Sequence, residues 1–191
     1  MNFKINLIIF FILAAAGCSK GESQIPEQPV KTTFTNPVWD GADPWLIKQN
    51  DDYIYCFSAN NGITVSRSKF MTKKGEVKQI WKAPVEGWNK ACIWAPEIHF
   101  IGNRWYVYYA AGESGPPFIH QRTGVLRSKT EDVFSEYEDM GMLNTGDNPD
   151  DISKNIWAID MTVLEHNGKL YAVWSGWLQQ MDTDATPQHL Y

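Results

Sequence analysis

Three acids are set apart by where they fall. Asp43 opens the run Asp43-Pro44-Trp45-Leu46-Ile47. Glu97 opens Glu97-Ile98-His99-Phe100, and Asp160 precedes the apolar strand Met161 to Leu164. A carboxylate can take a proton from water, or hold one for donation where its surroundings raise its pKa. A set of carboxylates brought to one place can therefore perform general acid–base chemistry. A single Asp-Pro reads as turn chemistry, because Asp favours turns and Pro cannot donate a ladder hydrogen bond. An acid at three matched strand heads points instead to residues facing a shared axis.

The elements that must position these acids form a repeat. Each acid-headed strand leads to a turn, and each turn to an aromatic strand. Asn50-Asp51 precedes Tyr53 to Phe57, Gly102-Asn103 precedes Trp105 to Tyr109, and Asn167-Gly168 precedes Leu170 to Trp174. Asn-Gly is the strongest of these hairpin signals, since both central residues of a type I′ turn need positive φ. A second echo runs in step with the first: Val65-Ser66-Arg67-Ser68-Lys69 recurs as Val125-Leu126-Arg127-Ser128-Lys129. Repeats of roughly 60 residues, each holding several strands, predict the blades of an all-β propeller. Blade one is expected over about 36–84, blade two over about 94–143, and blade three follows the polar stretch Asn144 to Asn155. No window of about a dozen residues carries helical apolar spacing. Thr130 to Phe134 is the best short helical candidate.

Bulk properties narrow the partners. Of 191 residues, 43% are hydrophobic, which is enough for a core, and nine are Trp. Aromatic residues fit pleated surfaces, and flat rings also cover the apolar faces of sugars; composition leaves both open. The net charge is −5 with basic residues scattered, so nucleic acid is not an expected partner.

The N-terminus reads as a targeting segment. Lys4 precedes an apolar run, Leu7 to Ala16, too short to span a bilayer and suited to the core of a signal peptide. It ends Ala15-Ala16-Gly17-Cys18, which resembles a bacterial lipoprotein box, with Cys18 the acylated residue. Residues 1–17 are thus expected to be removed and 18–35 to be a flexible tether. Residues 36–191 form the propeller region, and export to the periplasm or cell surface on a lipid anchor is predicted.

Other features are read locally. The Gly- and Pro-rich loop Glu113 to Arg122 carries His120 and Arg122, candidates for substrate contacts. Asp147, Asp150 and Asp151 lack the order of an EF-hand and read as a solvated turn. Cys56, inside an aromatic strand, is expected to be a buried apolar residue. No disulfide with Cys92 follows from two cysteines alone.

Gly41-Ala42-Asp43-Pro44-Trp45, Trp94-Ala95-Pro96-Glu97-Ile98 and Trp157-Ala158-Ile159-Asp160 resemble the motifs of glycoside hydrolase family 43, in order and over residues 36–191. Trp45 after Asp-Pro and the run Val173 to Trp177 are most similar to arabinan-directed members. The resemblance implies a five-bladed propeller, of which about the first three blades are present here, with a site in the central funnel and hydrolysis by inversion. It implies Asp43 as general base and Asp160 as the acid that orients and tunes its partner. Glu97 matches a recurrent acid near the funnel. Trp45, Trp94 and Trp177 fall on motif positions expected to contact sugar.

An inverting site needs a base that activates water and an acid that protonates the leaving oxygen, about 6.5–9.5 Å apart. The family's general acid is a Glu of the fourth blade, so it is expected beyond Tyr191, and the chain reads as the N-terminal part of a longer protein, inactive alone. No cofactor is required; the resemblance allows an axial calcium, held through a later-blade His as in many family members, in the full-length protein. The expected partner is an arabinan- or arabinoxylan-type polysaccharide, and the expected activity is that of an α-L-arabinofuranosidase. An endo-arabinanase, a β-xylosidase, a non-catalytic carbohydrate-binding surface lipoprotein and a structural propeller for protein contacts are the alternatives. Three blades alone are expected to leave apolar faces open, including the strand Trp105 to Tyr109.

Overall fold

The computed structural model describes residues 33–146, 148 and 150–191. Among the described residues eleven strands form three antiparallel sheets, met one after another along the chain. The first holds β1 (Trp45–Gln49), β2 (Asp52–Ser58), β3 (Gly62–Ser68) and β4 (Glu76–Lys82) in sequential order. The second holds β5 (Ala91–Ile101), β6 (Arg104–Gly112), β7 (Arg122–Ser128) and β8 (Tyr137–Met142), again in order. The third holds β9 (Ala158–His166), β10 (Lys169–Gly176) and β11 (His189–Leu190). These are the up-and-down sheets of propeller blades, and the acids precede or lie within the first strand of each.

The turns explain the pairing. Asn50, Asn103 and Asn167 take φ of 54°, 63° and 51° at the three hairpins that follow the acid-headed strands. Asn tolerates this left-handed region better than most residues, so it appears where the chain reverses. Across the third of these turns Lys169 pairs with His166 and Leu170 with Glu165. The echoed segments Val65 to Lys69 and Val125 to Lys129 run along the third strands, β3 and β7, of their sheets. Their likeness reflects the same place in two blades.

Two cores join the blades. Ile54, Cys56, Val65 and Ile80 of the first sheet pack with Ile93, Ile98, Trp105 and Val107 of the second. Register puts like with like: Cys56 faces Val65 across one ladder, and Ile98 faces Val107 across another. Burying side chains of this size contributes about 1.5–3 kcal/mol each. A second cluster, Trp157, Ile159 and Trp177 with Ala110, joins the second sheet to the third.

Three expectations are corrected here. Trp105 and Tyr109 are 4% and 1% exposed, because their strand belongs to the middle sheet and has a neighbour on each side. The open apolar faces lie on the outer sheets, at Leu46 and Val77 of the first and at Leu164, Leu170 and Tyr171 of the third. Thr130 to Phe134 is a turn rather than a helix. The Thr130 hydroxyl accepts from Asp132 N, and an Asp132 carboxylate oxygen accepts from Phe134 N. Side chains that satisfy the backbone locally compete with helix, while Val133 and Phe134 turn into the core between the first two sheets. The second blade also begins earlier than expected, at Ala91.

Cys18 and the proposed tether up to residue 32 lie outside the described residues, as does Asp147. Among the described residues no helix is long and apolar enough to cross a membrane.

Candidate active site

The first strands of the three sheets lie side by side, with β5 touching both β1 and β9. Asp43 stands just before β1, Glu97 in β5 and Asp160 in β9. Each head departs from a regular strand. The β5–β6 register slips twice, between Ala91 and Trp94 and between Trp94 and Glu97, and the β9–β10 register slips between Ile159 and Thr162. Each slip is a bulge carrying a left-handed residue on the innermost strand: Cys92 at φ 54°, Ala95 at 40° and Asp160 at 52°. Asp43, before a proline that disfavours helical backbone, takes φ 50°. Bulges re-aim side chains and gather next to active sites, and left-handed residues with a Cβ are strained. In these three sheets, strain away from turns is concentrated at the heads of the innermost strands.

Hydrogen bonds from the second sheet hold the head of β9. Ala158 N donates to the Gln121 carbonyl at 3.2 Å, and the Thr123 hydroxyl donates to the Ala158 carbonyl at 3.3 Å. Trp157 Nε1 donates to the Phe118 carbonyl at 2.8 Å. Asp160 is thereby carried on a clamped segment.

The electrostatics join the three acids. Partial loss of water first, then the charges of Asp43 and Glu97, push the Asp160 carboxyl above its ordinary value. The residue remains exposed as a whole, so its loss of water is partial. Asp43 is also exposed, and its charge adds to burial in raising Tyr55. Glu97 is largely enclosed; its Oε2 lies 3.4 Å from His99 Nε2. The fields of all three acids thus meet in one neighbourhood, as an acid–base site requires.

The other candidates separate. Trp94 is half-buried, edge-on to Phe118 at 4.9 Å, and borders a shallow recess with Cys92 and Asn60. His120 and Arg122 line an open recess of about 510 Å³ with Ile119 and Gln180. Arg122 donates to Gln180 Oε1 at 3.0 Å, and burial pulls its guanidinium below the ordinary value. Gln180 in turn donates to the Ile119 carbonyl at 2.8 Å, tying the two loops together.

One expected sugar contact, Trp177, is corrected, and Trp45 is partly buried. Trp177 is 1% exposed and stacked on Trp157, so it is a core residue. Trp45 packs against the core of the first two sheets and spends its indole N–H on the Ile98 carbonyl. Both rings face a neighbouring sheet, which a motif alone does not reveal. Asp151 caps a short 3-10 turn, Ile152–Lys154, and does only local work. Cys56 is fully buried, and Cys56 and Cys92 are both free thiols. Among the described residues no three His, Cys, Asp or Glu side chains gather as a metal-holding group.

His99 was not among the sequence candidates, although its signal was there. Residues i and i+2 of a strand share a face, so a histidine two places after Glu97 had to lie beside it.

Two four-stranded sheets and a third of three described strands, met in sequence and set with their innermost strands together, with an acid at the head of or within each, define a β-propeller with a candidate carboxylate site. The profile described as Glycosyl hydrolases family 43 matches residues 34–191, and the chain belongs to that family. It is 30% identical over 155 residues to an extracellular exo-α-(1→5)-L-arabinofuranosidase of Streptomyces chartreusis, covering 77% of this chain and 44% of that protein. A protein of the same description from Streptomyces avermitilis is 29% identical over 157 residues, covering 78% of this chain and 31% of the relative. Among solved structures, an α-L-arabinofuranosidase from Lactobacillus brevis aligns with TM-score 0.68 at 25% identity, over 83% of this chain and 50% of that one. An endo-arabinase from Bacteroides thetaiotaomicron, at 16% identity and TM-score 0.57 over 76% of this chain and 49% of its own, shares the fold. The chain therefore spans between about a third and a half of these relatives.

Proposed function

We propose that this chain contributes the base side of an inverting glycoside hydrolase active site, acting on α-L-arabinofuranosyl linkages of arabinan- or arabinoxylan-type polysaccharide. The observation that carries the reading is the convergence of Asp43, Glu97 and Asp160, felt in the raised pKa of Asp160. The relatives described as exo-arabinofuranosidases support the substrate class.

In this mechanism Asp43, exposed at the head of β1, removes a proton from water as the water oxygen attacks the anomeric carbon. The glycosidic bond breaks on the opposite face, and a separate carboxylic acid gives its proton to the leaving oxygen. Asp160 raises and orients that acid through like-charge repulsion. The acid itself is assigned to a Glu of a fourth blade in a five-bladed, full-length propeller. An axial calcium in that protein would draw its ligands from the later blades. Trp94, His120 and Arg122 line the sugar-binding side.

The description of the Streptomyces relatives as extracellular, together with the apolar run before Cys18, supports an exported protein held on a membrane through an acylated Cys18.

Asp43→Asn in the full-length protein tests the base. Asn keeps the shape and loses the proton acceptor, so kcat on an aryl α-L-arabinofuranoside should fall by at least ~10²–10⁴. Binding of arabino-oligosaccharide, measured by calorimetry, should stay within a few-fold. Near-normal turnover would remove Asp43 from the chemistry.

A further inference from the structure

Glu97 and His99 project from one face of β5 and meet. Glu97 Oε2 and His99 Nε2 are 3.4 Å apart, both atoms are closed off from solvent, and among the described residues neither has a hydrogen-bond partner. The spacing is within ion-pair range and slightly long for a well-formed hydrogen bond. A buried carboxylate oxygen left without a donor is costly, so the imidazole is the neighbour that can satisfy it.

The imidazole is held between aromatic walls. Its ring lies 5.0 Å from the Trp45 ring and edge-on to Tyr108 at 5.7 Å. Trp45 is itself fixed, because its Nε1 donates to the Ile98 carbonyl at 2.8 Å. Trp45 is two residues beyond Asp43, so one line of contacts runs from the Asp43 strand head through Trp45 and His99 to Glu97. The Glu97 charge is felt in turn by Asp160 and by the buried thiol of Cys56. Two acceptors facing each other would repel, so Nε2 must carry a proton to face this carboxylate.

We propose that His99 is a positioning residue: wedged between Trp45 and Tyr108, it fixes the Glu97 carboxylate relative to Asp43 and Asp160. The proposal rests on the reading that these acids serve glycoside hydrolysis. His99 touches no reacting atom; it acts through Glu97, and Trp45 makes its placement depend on the strand that carries Asp43.

Two variants of the full-length protein test it. His99→Phe keeps a ring between Trp45 and Tyr108 and removes the donor; His99→Gln restores a donor without the ring. On an aryl α-L-arabinofuranoside, His99→Phe should lower kcat by about tenfold to a hundredfold, the scale of a small misplacement, with KM within about twofold. His99→Gln should regain part of that loss. In a Glu97→Gln background, His99→Phe should lower kcat no further. Wild-type kcat in His99→Phe, or full additivity with Glu97→Gln, overturns the proposal.

The ¹⁵N shifts of the His99 ring in the wild-type protein give an answer independent of turnover and of whether the variants fold. An Nε2 that carries a slowly exchanging proton supports the tie, and an Nε2 without a proton sinks it. Were the wild type to cleave no arabinofuranoside, the functional reading would fail while the ring shifts would still decide the role of His99.

Discussion

Trp157 and Trp177 lie face to face, their ring centroids 4.7 Å apart and their planes 5° from parallel. One stands three residues before Asp160 and the other at the end of β10, so the stack pins the head of β9 to the strand beside it. Trp157 also donates to the Phe118 carbonyl of the second sheet. The bulge that turns Asp160 toward the other acids is thus held from both sides, by aromatic area within the sheet and by a hydrogen bond from outside it.

That placement has a measurable cost. Burial and the charges of Asp43 and Glu97 raise Asp160 above its ordinary 3.8, so the native state disfavours the ionised form. Stability from this residue is greatest at pH values where the carboxyl is protonated in both states. It declines as pH rises from 3.8 through the native value, and the penalty is complete above that. Asp160→Asn removes the penalised charge. The variant should melt higher than wild type near neutral pH, with the gap closing below the ordinary pKa, while its activity falls. Equal melting temperatures across that range, followed by calorimetry, would contradict the electrostatic coupling.

Gly124 is a packing position. A Cβ there would lie 2.6 Å from Tyr109 Cζ and 2.7 Å from Trp88 Cη2. Neither ring can yield easily: Tyr109 is buried, stacks on Trp88 and accepts a 2.8 Å hydrogen bond from Asn89. Gly124→Ala should cost about 1–3 kcal/mol, the usual scale for over-packing a filled core. Chemical denaturation would read it as a lower midpoint with an unchanged slope.

Anchoring can be tested without touching the fold. If Cys18 carries acyl chains, each buried methylene adds about 0.8 kcal/mol of membrane affinity. Cys18→Ala should then move the protein from the membrane to the soluble fraction in cell fractionation. Wild-type protein already soluble without detergent would count against the anchor.

Much of the architecture was written in local pattern. Asn50, Asn103 and Asn167 mark hairpins because positive φ is a property of a few residue types. The likeness of Val65 to Lys69 and Val125 to Lys129 marked two blades because equivalent strands meet equivalent neighbours. The three acids were visible because each preceded a short apolar strand at a matching place. Turn conformation and strand alternation are short-range, so sequence alone determined the sheets, their order and the strand heads that carry the acids.

Tertiary structure decided where side chains on those strands end. Whether a tryptophan meets solvent or a neighbouring sheet depends on what packs across from it, so Trp177 became a core residue while Trp45 and Trp94 stayed partly buried. The coverage of Trp105 and Tyr109 follows from their sheet being the middle one. The bulges at Cys92, Ala95 and Asp160 shift register against a partner strand, and no periodicity within one strand encodes a slip relative to another. The meeting of Glu97 with His99 was implied by alternation, but its closure by Trp45 from another blade was not. The acids share one electrostatic neighbourhood only because β1, β5 and β9 lie together, and that contact between residues far apart in the chain exists only once the sheets have packed.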